Sequence, residues 1–236
     1  VRDSRSTTED LALIISQVAA PKFKPASVSR LAPDEVFKFT GSLNGLFQDF
    51  VAYGALNSGI GKANVDIICR SADKKVYEII GGMRATDFNL GELLQSKLFG
   101  KLDCNASISS YISKNKAKTQ LTIEDVNIAR IGINNYDYSS ISATGTLDYD
   151  DFEGKVVCRD PTLKFMLQGI LSLGKRDKGL YQFNMALGYA DLHALNLDSR
   201  ELSELQFQAD ANFARRDGTL LGKVDLRQVK GRNASG

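Results

Sequence analysis

Leu205-Gln206-Phe207-Gln208-Ala209-Asp210-Ala211-Asn212-Phe213 alternates apolar and polar side chains over nine residues without a break. Successive side chains of an extended strand point to opposite faces, so this stretch has one dry face and one face that meets water or a cavity. The same period runs through Phe37, Phe39 and Leu43, and through Leu121, Ile123, Val126 and Ile128, where a slip at Asp125 predicts a bulge. Polar turns separate such runs: Ser71–Lys75, Ser113–Lys116, Gly174–Gly179 and Ala214–Gly218. Their Asn, Asp, Lys and Gly residues suit tight hairpins, so the strands read as an antiparallel meander.

The chain also repeats itself. Thr40-Gly41-Ser42-Leu43-Asn44 recurs as Thr144-Gly145-Thr146-Leu147-Asp148, an offset of 145 − 41 = 104. Asp73-Lys74 and Asp177-Lys178, Tyr77-Glu78-Ile79 and Tyr181-Gln182-Phe183, and Asp87-Phe88 and Asp191-Leu192 keep that offset. A fixed long period marks a stacked architecture. It predicts two units of the meander, residues 36–139 and 140–236, after a lead-in over 1–35. In the lead-in, Ser6-Thr7-Thr8-Glu9 has capping-box spacing, and Leu11, Ile14, Ile15 and Val18 form one apolar stripe. A helix over 6–20 is predicted, stopped by Pro21 and Pro25. A second short helix is predicted over 89–97, with a similar turn in its counterpart, Leu195–Leu205.

A sheet with one apolar face must cover that face, and one short helix is too small for two units. The sheet therefore either curls on itself or leaves an apolar groove, which in a soluble protein marks a site for an apolar ligand.

The bulk composition excludes several classes. With 236 residues, 43% hydrophobic and 25% charged, the chain has a folded, soluble composition. A net charge of +2 is too small for a nucleic-acid partner. No apolar run approaches the ~20 residues of a membrane-spanning helix, and no signal peptide is recognisable. The start at Val1 reads as the start of a piece of a larger protein. Cys69, Cys104 and Cys158 are far apart, odd in number, and set in alternating runs. They read as small buried hydrophobes rather than zinc ligands.

Signals for catalysis are weak. His193, in Ala190-Asp191-Leu192-His193-Ala194-Leu195, lacks a nucleophile in a recognisable setting and reads as structural or surface. There is no G-x-S-x-G elbow. Gly54–Gly61 lacks the Lys-Ser/Thr of a phosphate loop and reads as a tight turn. Asp148–Gly154 lacks the distal ligand of a calcium loop and reads as a hairpin corner. Asn105-Ala106-Ser107 and Asn233-Ala234-Ser235 fit the glycosylation sequon, a pattern frequent by chance. Lys74, Lys75, Lys114, Lys116, Lys175, Arg176, Lys178, Arg215 and Arg216 gather at turns. They read as solubilising and edge-protecting, with anionic lipid headgroups as the other reading. No catalytic residue, metal ligand or cofactor is assigned.

A family resemblance joins these landmarks. Phe39–Gly45, Asp49-Phe50, Gly54–Gly61 and Phe88–Leu94 resemble, in order, the periplasmic TamB proteins of the AsmA-like group, the Bacteroidetes type in particular. So do Asn135–Tyr138, Phe152–Val156, Asp160–Leu163 and Ala190–Leu197, with Thr162 in place of an expected Asn. The resemblance implies a mainly β fold, a long curled antiparallel sheet forming a taco-like groove. It implies a non-enzymatic role in outer-membrane biogenesis, carrying phospholipid across the periplasm between the inner and outer membranes. The alternative it implies is a scaffold that assists assembly of outer-membrane barrels, or secretion, with a TamA-type partner. Anchorage in the inner membrane would lie outside this internal segment. Phe37, Phe39, Leu43, Ile123, Leu205 and Phe207 are the candidate groove-lining residues.

Overall fold

A computed structural model describes residues 3–7, 36–46, 49–73, 76–94, 96–113, 120–148, 151–172, 179–199, 203–216 and 219–232. The side chains of Phe37 and Leu43 lie outside this description. The strands are β1 (Asp3–Thr7), β2 (Val36–Leu46), β3 (Asp49–Ser58), β4 (Gly61–Asp73), β5 (Val76–Asn89), β6 (Phe99–Ser113) and β7 (Gln120–Ile133). They continue as β8 (Tyr136–Asp148), β9 (Asp151–Arg159), β10 (Leu163–Ser172), β11 (Gly179–Asp191), β12 (Glu204–Arg216) and β13 (Thr219–Arg232). One short helix, α1 (Leu90–Leu94), connects β5 to β6.

All thirteen strands form one open antiparallel sheet in sequence order, β1 at one edge and β13 at the other. Each described strand packs extensively only against its sequence neighbours. The hairpins fall where turn chemistry placed them, from Asp73 to Val76, Asp148 to Asp151 and Arg216 to Thr219. The bulge predicted at Asp125 is present: the register against β8 shifts between Ile123 and Val126. An extra residue there keeps Val126 and Ile128 on the face already held by Ile123.

Three local expectations are corrected. Ser6 and Thr7 do not cap a helix; they lie in β1, opposite Phe37 and Val36 of β2. The open edge of β2 offers unpaired backbone groups, and satisfying them outweighs a local capping box. The rest of the predicted helix over 6–20 lies outside the described residues. Gly54 is not in a turn but within β3, and only Gly59 and Ile60 turn the chain. The helical turn after β11 spans residues 192–197 rather than Leu195–Leu205, because Asp191 draws it forward. Its carbonyl accepts the Leu195 N–H (3.0 Å) and its carboxylate the Ala194 N–H (2.9 Å).

The predicted helix over 89–97 shrinks to the five residues of α1. Asn89 begins it: the Glu92 N–H donates to Asn89 Oδ1 (3.1 Å), and Asn89 Nδ2 donates back to Glu92 Oε2 (3.0 Å). This reciprocal pair satisfies a donor that the helix leaves open. Both excursions plug one end of the apolar face. Leu93 and Phe88 pack on the buried Ile60, and the fully buried Leu195 packs with Tyr138, Leu187 and Ala190.

Candidate functional site

Strand register assembles the site. Facing residues of antiparallel neighbours share a face, so the pairings can be followed across the sheet. One line runs Phe50, Cys69, Ile79, Ser110, Leu121, Leu147, Phe152, Leu171, Tyr181, Phe213. A second runs Ala52, Ile67, Gly81, Ile108, Ile123, Gly145, Gly154, Gly169, Phe183, Ala211, Val224. A third contains Val65, Met83, Ala106, Val126, Ala143, Val156, Leu167, Met185, Ala209 and Leu226. A fourth contains Phe39, Leu56, Ala63, Ala85, Cys104, Ile128, Ile141, Cys158, Phe165, Leu187 and Phe207. Four nearly unbroken apolar lines thus lie side by side on one face.

Rows two residues apart are separated by about 7 Å and strands by about 4.8 Å. The apolar strip is therefore about 20 Å wide along the strands and about 55 Å long across them. Its small members are buried by their neighbours, among them Cys69, Ala85, Cys158, Ala209 and Ala211. Larger ones emerge: Met83 is 42% exposed, and Leu220, Val224, Leu226 and Val229 on β13 are 50–59% exposed. Tyr181 stacks on Phe213 with centroids 4.9 Å apart, and Phe183 meets Phe213 edge-on at 6.4 Å.

The opposite face is mostly polar, with Val51, Tyr53, Ile68, Met166 and Leu221 exposed among its polar side chains. Arg84 Nε donates to Asn105 Oδ1 (2.6 Å), Arg70 pairs with Glu78 (3.1 Å), and Tyr111 donates to Glu78 (2.9 Å). Asn184 and Arg227 both bond Asp210. Near one end, Arg130 bridges Asp103 (2.7 Å) and Asp87 (3.1 Å), and Lys101 adds a second partner to Asp87 (2.9 Å). Hydrogen bonds from Lys101 and Arg130 hold the Asp87 carboxyl below the usual carboxylate range.

The expected lining residues divide by what is described. Phe39, Ile123 and Phe207 belong to the apolar lines, and Leu205 packs against the cluster around Leu195. Phe37 and Leu43 occupy β2 at alternate positions with Phe39, opposite Ser6 and Ala52. His193 is exposed in the turn after β11. Arg215 lies 5.9 Å from the Tyr181 ring centroid, and the other basic turn side chains lie outside the description. Asn105 is on the polar face, and Asn233 lies outside the described residues. Among the described residues, no group of three or more His, Cys, Asp or Glu side chains is placed to hold a metal ion.

Cys69, Cys104 and Cys158 are buried free thiols on the apolar face, and burial pushes all three thiols up. Buried, protonated thiols are inert. Iodoacetamide at neutral pH is therefore expected to leave them unmodified in the native protein and to label all three in urea. Intact-mass spectrometry reads the difference.

Sequence reasoning missed the buried Asp160, 1% exposed between β9 and β10. Its Oδ1 accepts from Tyr136 Oη (2.7 Å), Thr162 N (2.9 Å) and Thr162 Oγ1 (2.6 Å). Its Oδ2 accepts from Ser139 N (2.9 Å) and Ser139 Oγ (2.8 Å). The signal was present in Asp160-Pro161-Thr162, an Asp that bonds its own backbone two residues on. Burial alone would raise this carboxyl's pKa, but the bonds from Thr162, Tyr136 and Ser139 prevail and hold it well below the usual range. The arrangement pins the β9–β10 turn to β8 and is structural.

No family model, no curated protein and no solved structure matches the chain.

Proposed function

We propose that this chain is a two-unit stretch of a TamB-like lipid-conducting β-groove, acting without catalysis in the periplasm between the inner and outer membranes. The observation that carries the reading is the continuity of four apolar lines across the one sheet that the described residues form. A lipid leaving a bilayer exposes its acyl methylenes to water at about 0.8 kcal/mol each. A continuous apolar strip offsets that cost at every point of a path. Its width of about 20 Å along the strands accommodates acyl chains that fill half of a hydrocarbon core of about 30 Å. A curl of the sheet around that strip would enclose the chains and leave headgroups at the open side.

The repeat reading has its own support. Strands β2 to β7 begin at residues 36, 49, 61, 76, 99 and 120, and β8 to β13 at 136, 151, 163, 179, 204 and 219. Pair by pair, these starts are 99 to 105 residues apart. The connection holding α1 and the helical turn at 192–197 occupy corresponding places. Phospholipid is the proposed ligand. The inner-membrane anchor and the outer-membrane barrel partner of TamA type would be contacts of the longer protein.

The test is lipid capture by the purified chain, read by native mass spectrometry after incubation with phosphatidylglycerol–phosphatidylethanolamine vesicles. Wild type is expected to carry phospholipid. Phe207→Asp and Met83→Asp are expected to lower the lipid-bound fraction about tenfold, because a carboxylate among acyl chains costs well over ~1.4 kcal/mol. Met83 is already half-exposed, so its variant keeps the fold even if Phe207→Asp does not. Unchanged capture in a folded Met83→Asp protein overturns the conduit and leaves the barrel-assembly scaffold as the reading to pursue.

A further inference from the structure

The mostly polar face holds a cavity of about 530 Å³ between β3 and β7, a size that suits a small organic ligand. Register builds it from two rows. Tyr53, Asp66, Gly82, Ser107 and Asp125 face one another across these strands. Asn64, Arg84 and Asn105 form the next row. Gly82 opens the cavity, because it puts no side chain between Asp66 and Ser107. Nothing in the packing demands a glycine there: a Cβ would meet only the Ala106 carbonyl oxygen at 3.3 Å and Ser107 Oγ at 4.0 Å.

Farther along the same face, the polar side chains of β11 and β12 consume one another. Gln182 donates to Asn212 (3.3 Å), and Asn184 bonds Asp210. In the cavity, among the described residues, the side chains of Tyr53, Asn64, Asp66 and Ser107 have no such partner. Arg84 Nε is held by Asn105 Oδ1 (2.6 Å), which leaves the terminal guanidinium nitrogens for a ligand.

We propose that this cavity binds an uncharged glycan, a short chain of sugar rings lying across the strands from Tyr53 to Asp125. The chemistry of the lining selects that class. Tyr53 is 63% exposed, and its ring offers an apolar surface to the C–H face of a sugar while its hydroxyl stays available. Asn64 and Ser107 both donate and accept, Asp66 and Asp125 accept, and Arg84 donates. Sugar hydroxyls, each donor and acceptor at once, meet all of these. An anion would meet two carboxylates beside one guanidinium. A metal ion would find no group of three ligands among the described residues. From β3 to β7 the lining runs about 19 Å, longer than one sugar ring. The inference is independent of the lipid reading, which concerns the other face.

Saturation-transfer NMR and calorimetry of the whole chain with cellotetraose and chitotetraose, two uncharged and extended oligosaccharides, test this. At least one is expected to bind with a Kd of about 1 mM or tighter, and glucose about tenfold more weakly. Tyr53→Ala and Asp66→Ala are each expected to weaken binding about tenfold. Gly82→Gln fills the cavity and is expected to abolish binding while the circular dichroism stays native. Tyr111→Ala removes another exposed tyrosine of the same face, outside the cavity, and is expected to change nothing. No binding of either tetrasaccharide by folded wild type overturns the proposal. So does an equal loss in Tyr111→Ala, unchanged binding in Gly82→Gln, or binding that moderate salt abolishes, which an uncharged ligand does not show.

Discussion

Gly154→Val is expected to abolish the cooperative melting transition of the sheet, or to destabilise it by about 3 kcal/mol or more. Gly154 faces Gly145 on β8 and Gly169 on β10. A Cβ at Gly154 would lie 2.3 Å from the Thr144 carbonyl oxygen, 2.8 Å from Gly145 Cα and 2.5 Å from Phe152 Cζ. Two of those atoms are backbone of the neighbouring strand, so a side chain fits only if β8 and β9 separate. The ring of Phe152 fills the space above the glycine pair, and this packing is lost with the pairing. Gly41 and Gly54 repeat the arrangement in β2 and β3, with Phe39 Cζ 2.9–3.0 Å from the Cβ positions. Gly188→Ala is the control. A Cβ there meets only Lys164 atoms at 3.6 and 4.0 Å, ordinary contact, and the change is expected to stay within about 1 kcal/mol. Urea unfolding followed by far-ultraviolet circular dichroism measures both. A native-like midpoint for Gly154→Val would refute the steric account of this line of the sheet.

Removing the Asp160 carboxylate is expected to have the second large effect. Asp160→Ala leaves the Ser139 and Thr162 N–H groups without their acceptor in a buried site and frees Tyr136. Unsatisfied buried donors cost about 1–3 kcal/mol each, so a loss of about 3 kcal/mol or more is expected. Asp160→Asn is expected to recover only part of it. Its amide nitrogen presents a donor where another donor points; the hydroxyls can turn to accept, but the N–H groups cannot.

The pH dependence follows from the sign of the shift. The folded-state pKa of Asp160 is depressed, so its contribution to stability is complete above the unfolded value of about 4. It is lost as pH falls through that value towards the folded one. Wild type is therefore expected to lose stability steadily below about pH 4, and Asp160→Ala to show a shallower acid limb. Identical slopes for the two proteins between pH 5 and 2 would remove Asp160 from this role.

Much of the fold was legible in the residues because strand formation and hairpin closure are local. The alternation from Leu205 to Phe213 needs only the pleat, and it became the greater part of β12, paired with Ala190 to Tyr181 on β11 and with Gly231 to Gly222 on β13. The slip at Asp125 became a bulge for the same reason. Less of the site was legible. Phe39, Ile123 and Phe207 were marked as sharing a parity within their own strands, but parity in one strand says nothing about its neighbour. Only the register places Phe207 opposite Leu187, Leu187 opposite Phe165, and Phe165 opposite Cys158 in one line.

The sequence alone determined the strands, their two unlike faces, the turns between them and the small buried role of the cysteines. Each follows from side-chain direction, turn chemistry or burial preference within a few residues. The tertiary structure alone decided that β1 closes onto β2 where a capping box pointed to a helix, and that Asp160 gathers partners from 24 residues away. These depend on which backbone groups and side chains meet across the sheet. Pairing satisfies a distant edge through contacts that no local window of residues contains.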